Sequence, residues 1–156
     1  LKEKYYVLRK LSAAILSSIL LSLLLASNFY MSISRQNEDV SPWTFQSLLF
    51  VYLIYSLPVI LIGGTFFSIL IDQIIKYLKI SITNILLRVL VYTVVYAVGG
   101  LIVITILLFV VIGGSYVEDI RRSLGFYIIG VVGALIYLYL DEGLRAIIMR
   151  RKRGIK

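Results

Sequence analysis

Four charged residues stand at the ends of long apolar runs: Asp72, Arg88, Asp141 and Glu142. Ionisable side chains in or beside membrane-length segments are the usual mark of ion or proton pathways. None is expected at mid-depth in this chain, and these four stand nearest to it. All four fall toward the same side of the expected membrane domain. Arg88 has two carboxylate choices, Asp72 or the Asp141–Glu142 couple, and either pairing would fix the helix arrangement or gate a path. The plainer expectation is four charged helix ends in the headgroup region. Asp141 and Glu142 do not form an acid–base pair, because neighbouring residues on a helix point about 100° apart.

Other chemistry is scarce. The chain has no His and no Cys, which removes the commonest general base, the commonest transition-metal ligand and all thiol chemistry. No HExxH, GxSxG, P-loop or GxGxxG pattern occurs. Serines abound between residues 12 and 34, yet no base lies at their depth to activate one. No enzyme activity, cofactor or metal is expected. Tyr52, Tyr55, Tyr92, Tyr96 and Tyr127 carry hydroxyls within apolar runs. Such groups need partners in lipid. They either line a polar crevice or bond to backbone and to serines such as Ser17, Ser18 and Ser22 on a neighbouring helix.

The elements that must position these groups are transmembrane helices. Residues 11–34, 40–71, 89–117 and 123–140 carry no Asp, Glu, Lys or Arg, and 60% of the chain is hydrophobic. One charge at the bilayer centre costs at least ~2.5–3.5 kcal/mol, so charge-free runs of this length read as spans. The expected spans are 11–33, 45–71, 89–112 and 124–140, followed by a basic tail over 141–156. An apolar segment in lipid must satisfy its own backbone, so each is a helix. No alternating pattern of a β-barrel is present. The fold expected is an all-α integral membrane four-helix bundle in one domain, 1–156. The first apolar run exceeds a typical signal-peptide core and is read as the first span. Pro58 lies inside the long second span and is its expected kink.

Charge sets the expected orientation. Thirteen of the sixteen Lys and Arg residues fall in the N-terminal segment, the 72–88 region and the tail. The two opposite loops hold only Arg35, Arg121 and Arg122, with Glu38, Asp39, Glu118 and Asp119. The positive-inside rule then puts both termini in the cytoplasm. Tyr5, Tyr6, Tyr30, Trp43, Phe45, Tyr77, Tyr116, Tyr137 and Tyr139 fall near span boundaries, as interfacial aromatics do. The net charge of +8 thus reads as attraction to an anionic inner leaflet rather than to nucleic acid.

Small residues mark packing faces. Ala14, Ser18, Ser22 and Ala26 recur every four residues in span 1. Gly64 and Ser68 in span 2, and Gly130 and Ala134 in span 4, share that spacing. Small residues let helices approach closely in lipid. The stripes either pack the four spans against one another or, for span 1 above all, bind a second copy or another membrane protein. Gly63-Gly64, Gly99-Gly100 and Gly113-Gly114 hint at a repeat, but their positions within the spans do not correspond.

The set Pro58-Val59, Gly63-Gly64, Ser68 and Asp72, with Asp141-Glu142 and Arg145, resembles the small four-span membrane proteins of Bacillus-type bacteria grouped as an uncharacterised family. The resemblance implies a bacterial inner membrane and four spans, and no activity. The function expected from the residues is that of a non-enzymatic membrane protein acting through helix–helix interaction, as an accessory, regulatory or immunity-type protein. The alternative is a small oligomeric transporter or channel, which would need a polar lining. A membrane-disrupting, holin-like role fits the basic tail no better than any positive-inside protein does.

Overall fold

The computed structural model describes residues 2–33, 44–77, 85–112 and 120–153. Some side chains at helix ends, Arg88 among them, lie outside the described set, as do residues 78–84 and the loop residues Arg35, Glu38, Asp39, Trp43, Gly113, Gly114, Tyr116, Glu118 and Asp119. Every described residue except Thr44 is helical. The elements are α1 (Lys2–Ile33), α2 (Phe45–Pro58), a π-helical stretch (Val59–Gly64), α3 (Thr65–Tyr77), α4 (Ile85–Ile112) and α5 (Ile120–Arg153). Four helical segments are long and apolar enough to cross a membrane: Tyr5–Tyr30, Phe45–Ile74, Val89–Val110 and Leu124–Ile148. We call them spans 1 to 4.

Two boundaries differ from the charge-free runs. Span 1 starts before Arg9 and Lys10, and α5 continues through residues 141–153 without a break. The basic segment is thus an extension of the fourth helix. Charge alone does not stop a helix; it changes only where the helix leaves the apolar medium.

Span 2 opens on Thr44, whose extended backbone (φ −66°, ψ 152°) and side chain cap the helix by accepting from the Ser47 N–H. A π-helical stretch, Val59–Gly64, follows Pro58 directly. Proline has no N–H to donate and its ring crowds the carbonyl four residues back. The turn widens, and the Thr65 N–H reaches the Ile60 carbonyl, five residues earlier. Widening has a consequence for packing. Residues spaced by four drift about 40° per step around an α-helix, and a wider turn reduces that drift. Ser56, Ile60, Ser68 and Asp72 accordingly stay on the side that meets α1 and α5.

Around the bundle the spans follow the order 2–1–4–3. Span 1 packs between spans 2 and 4, and span 3 packs on span 4. Phe29 against Tyr52 and Tyr30 edge-on to Phe45 join the far end of span 1 to the start of span 2. Spans 3 and 4 approach most closely at glycine. A Cβ on Gly100 would stand 2.5 Å from the Gly130 carbonyl oxygen and 2.8 Å from the Ala134 Cβ. Spans 2 and 3 barely touch: α2 makes no contact with α4, and the two spans meet only at the π stretch and α3. A seam is left between them.

Not every glycine serves an approach. A Cβ on Gly143 would meet nothing within 4 Å. Glycine in a helix interior costs up to about 1 kcal/mol relative to alanine. Gly143→Ala is expected to raise stability by about 0.5–1 kcal/mol, read as a later unfolding midpoint in mixed detergent micelles. An unchanged or earlier midpoint would show that α5 needs the glycine.

Candidate functional site

The four spans are tied together at one end by a buried polar node. Its centre is Lys10 of span 1, which is fully buried. The Lys10 Nζ lies 2.7 Å from Asp141 Oδ2 of span 4 and 2.9 Å from Asp72 Oδ2 of span 2. It also donates to Ser68 Oγ of span 2. An ammonium has three donors and no acceptor, and these three contacts use all of them. Ser68 in turn shares a hydrogen bond of 2.6 Å with the Tyr96 hydroxyl of span 3. One lysine therefore reaches all four spans.

Two more residues of α1 complete the charge balance. Arg9 meets Asp141 side-on, with Nε 2.8 Å from Oδ1 and Nη2 3.3 Å from Oδ2. Only the Nη2–Oδ2 contact has hydrogen-bond geometry; Nε and Oδ1 meet as a close ion pair without it. Tyr6 donates to Asp72 Oδ2 at 2.7 Å, and its ring lies 5.4 Å from both the Arg9 guanidinium and the Lys10 ammonium. Tyr137 closes the node from span 4, its hydroxyl making a long contact of 3.4 Å with the Lys10 carbonyl. Arg9 and Lys10 face Asp72 and Asp141, so the node is neutral. A buried charge is tolerated when it is paired; every charge in the node is paired, while Arg9 Nε and Asp141 Oδ1 are left without a hydrogen bond.

The four sequence candidates separate here. Asp72 and Asp141 are brought together, bridged by Lys10. Glu142 stands apart, paired with Arg145 one turn away in its own helix at 3.2 Å, as its 100° offset from Asp141 requires. Arg88 belongs to α4, but its side chain is outside the described set. Lys10, Arg9 and Tyr6 were missed because they read as a positive flank. The signal was present in the spacing. Lys10 lies four residues before Ala14 and extends the stripe Ala14, Ser18, Ser22 and Ala26 by one turn. Asp72 extends Gly64 and Ser68 in the same way.

The stripes themselves face inward. Ala14, Ser18, Ser22 and Ala26 are all fully buried, so the face of span 1 favoured for an outside partner is covered by the chain's own helices. Ser17, Ser18 and Ser22 bond to carbonyls four residues back in their own helix, at 2.6, 2.9 and 2.7 Å. Ser22 also reaches Ser56 of span 2 at 2.9 Å. Of the tyrosines expected to seek a neighbouring helix, Tyr96 bonds a serine, Ser68 of span 2; Tyr6 and Tyr137, expected near span boundaries, reach Asp72 and the Lys10 carbonyl. Gly64 lies against Tyr137, and Gly130 and Ala134 form the close approach to Gly100.

Beyond the node, the open seam widens into a cleft of about 460 Å³. Tyr96 and Tyr137, stacked at 6.4 Å, form its floor and separate it from the charges. Its walls are Val51, Val59 and Phe67 of span 2, Gly99, Val103 and Leu107 of span 3, and Leu21 of span 1. Tyr55 and Phe126 line it while remaining exposed, which marks the mouth. The lining is almost wholly carbon. The cleft is open at Tyr55 and Phe126 to whatever surrounds the bundle. Water does not fill apolar cavities, since each molecule needs two or more polar partners. The cleft therefore takes something apolar.

No protein-family model, curated protein or solved structure matches the chain. The functional reading rests on the geometry alone. Among the described residues, no group of His, Cys, Asp and Glu is arranged to hold a metal ion.

Proposed function

We propose that this chain is a non-enzymatic multi-pass protein of a bacterial cell membrane that acts through helix–helix contact, as an accessory, regulatory or immunity-type component beside another membrane protein. One observation carries the reading: where the polar and apolar groups are spent. Among the described residues, the buried charges Arg9, Lys10 and Asp141 pair with one another and with Asp72 inside the node. The faces of spans 2 and 3 that look outward are broad and apolar. Phe50, Ile54, Ile62 and Phe66 of span 2, and Val94, Val98, Ile106 and Phe109 of span 3, are all exposed. A partner helix would lie on these faces, because the small-residue stripe of span 1 is already covered. The lipid environment suits the same picture, with Arg145, Arg150 and the basic end of α5 beside an anionic inner leaflet.

The test is a mild-detergent pull-down of the tagged chain from its own membranes, read by native mass. A stoichiometric foreign membrane protein is the expected result. A defined oligomer of this chain alone would favour the second reading, a small oligomeric transporter or channel. One observation supports that alternative: the node sets ionisable groups inside the spans, as ion pathways do. The carbon lining of the cleft argues against a polar route within one copy. Flux of ions or polar solutes from liposomes holding the purified chain would overturn the binding role.

In the proposed orientation both termini are cytoplasmic. Arg9 and Lys10 are neutralised inside the node, yet the remaining Lys and Arg residues still favour the same side. The chain has no native Cys, so single Cys substitutions report cleanly. Ser41→Cys and Ser115→Cys are expected to react with an impermeant maleimide from outside intact cells, and Ser81→Cys and Gly154→Cys only after lysis. The reverse labelling pattern would invert the molecule.

A further inference from the structure

We infer that α3, the half of span 2 beyond the π stretch, is a hinged arm latched to span 1 by the charge on Asp72. Span 2 is held unevenly along its length. Its first half, α2, lies along span 1, with Ser56 bonded to Ser22 and Tyr52 against Phe29. The π stretch touches all three other spans. A Cβ on Gly63 would stand 2.9 Å from Val103 of span 3, and one on Gly64 would stand 3.4 Å from the Tyr137 ring of span 4. This packed turn is the fulcrum. Beyond it the grip loosens: α3 has no contact with α5 and only slight contact with α1 and α4. Among its described side chains only Ser68 and Ile71 are buried, whereas Phe66, Gln73, Ile74 and Tyr77 are exposed.

What ties the arm across the bundle is polar. The Lys10 ammonium stands between Asp72 and Asp141, so α3 reaches α5 through the lysine alone. Tyr6 donates to Asp72, and Ser68 joins Lys10 to Tyr96. The two carboxylates are not equally committed. The Asp141 side chain is 4% exposed and also holds Arg9, while that of Asp72 is 31% exposed and is held from α1 only. A half-exposed ion pair gives way at far less cost than a buried one, so the node parts at Asp72. Without its charge, Asp72 no longer attracts Lys10, and Lys10 stays with Asp141. The π turn supplies the hinge, since sharp bends in helices occur at such turns and its two glycines carry no Cβ to resist a change of angle. Ile74 lies about 15 Å past Gly64 along the helix, at 1.5 Å per residue. A swing of about 20°, the size of a sharp kink, moves it about 5 Å. Phe66 of the outward apolar face rides on this arm, so the latch sets the shape of the surface offered to a partner. That use rests on the partner-binding role; the arm and its latch do not.

The test uses the purified full chain in phospholipid nanodiscs, with nitroxide pairs on Cys substitutions and distances read by pulsed spin resonance. Ile74→Cys with Ile147→Cys spans the arm and α5, and Ile54→Cys with Ile128→Cys spans α2 and α5 as a reference. All four sites are exposed, and the chain has no native Cys. The parent chain is expected to give a single narrow distance for each pair. Asp72→Asn is expected to add a second distance in the arm pair, shifted by about 5 Å in about a third or more of the molecules, and to leave the reference pair unchanged. Asp72→Glu keeps the charge and is expected to keep the parent distance. Tyr6→Phe weakens the latch and leaves every ion pair in place, so it serves if Asp72→Asn does not fold; the same second distance is expected at a lower share. An unshifted arm pair in Asp72→Asn, or in Tyr6→Phe where that variant has to serve, overturns the arm. A shift of both pairs together overturns the hinge, because the whole bundle is then loosened. Equal shifts in Asp72→Glu and Asp72→Asn overturn the charge as the latch. No partner protein is present in the nanodiscs, so a failed pull-down leaves these distances untouched.

Discussion

Lys10→Met is expected to lower stability by about 3–5 kcal/mol, the cost typical of removing one member of a buried ion pair. The reason is what stays behind. Asp72 and Asp141 both hold the Lys10 ammonium within 3 Å. Without it, the buried Asp141 keeps Arg9 alone, and the partly exposed Asp72 keeps only the Tyr6 hydroxyl. Ser68 also loses a partner, and with it the link to Tyr96 of span 3 weakens. Methionine has nearly the same reach and volume, so the loss reports charge rather than packing. Arg9→Met should cost less, because Asp141 retains Lys10. Adding Asp72→Asn to Lys10→Met should recover part of the loss, since an amide needs no counter-charge. The measurement is unfolding in mixed micelles of mild and denaturing detergent. A Lys10→Met midpoint within about 1 kcal/mol of the parent would show that the node does not hold the spans together.

Gly100→Ala is the second change with a large expected effect. An added Cβ would stand 2.5 Å from the Gly130 carbonyl oxygen and 3.0 Å from its carbon. Backbone cannot rotate aside as a side chain can, so α4 and α5 must separate along the closest contact in the bundle. Overpacking of this kind costs about 1–3 kcal/mol, and the upper end is expected here because the obstacle is main chain. Gly99→Ala, one residue earlier, meets only the Phe67 ring at an ordinary contact of 3.5 Å and should be stabilising by up to about 1 kcal/mol. Two neighbouring glycines with the same helix-propensity gain and opposite outcomes separate packing from intrinsic preference. Equal midpoints for the two variants would mean that spans 3 and 4 do not approach as described.

How much of this was legible beforehand differs from element to element. The number and type of spans follow from solvation alone: charge is costly in hydrocarbon and an unpaired backbone group equally so. A charge-free run of 18 or more residues therefore leaves few options, and the described part of every run is helical apart from the capping Thr44. Pro58 announced an irregular turn for a covalent reason, its missing N–H. The spacing of Ala14, Ser18, Ser22 and Ala26 announced a packing face, because small residues in lipid exist to be approached.

Other features depended on partners distant in the chain. Whether Lys10 flanks the membrane or sits inside the bundle turns on whether carboxylates 62 and 131 residues away arrive beside it. A lone lysine would have been driven to the surface, and the same lysine between Asp72 and Asp141 is held inside. Asp141 and Glu142 are adjacent in sequence and alike in charge, yet one is buried in the node and the other pairs locally with Arg145. Only the rotation of α5 distinguishes them. The cleft is likewise a product of arrangement. Its walls come from all four spans and resemble any other apolar surface until spans 2 and 3 fail to close. Solvation energy acts on each segment separately and is readable in the sequence. Pairing and packing energies are shared between segments, and the tertiary structure alone decides how they are shared.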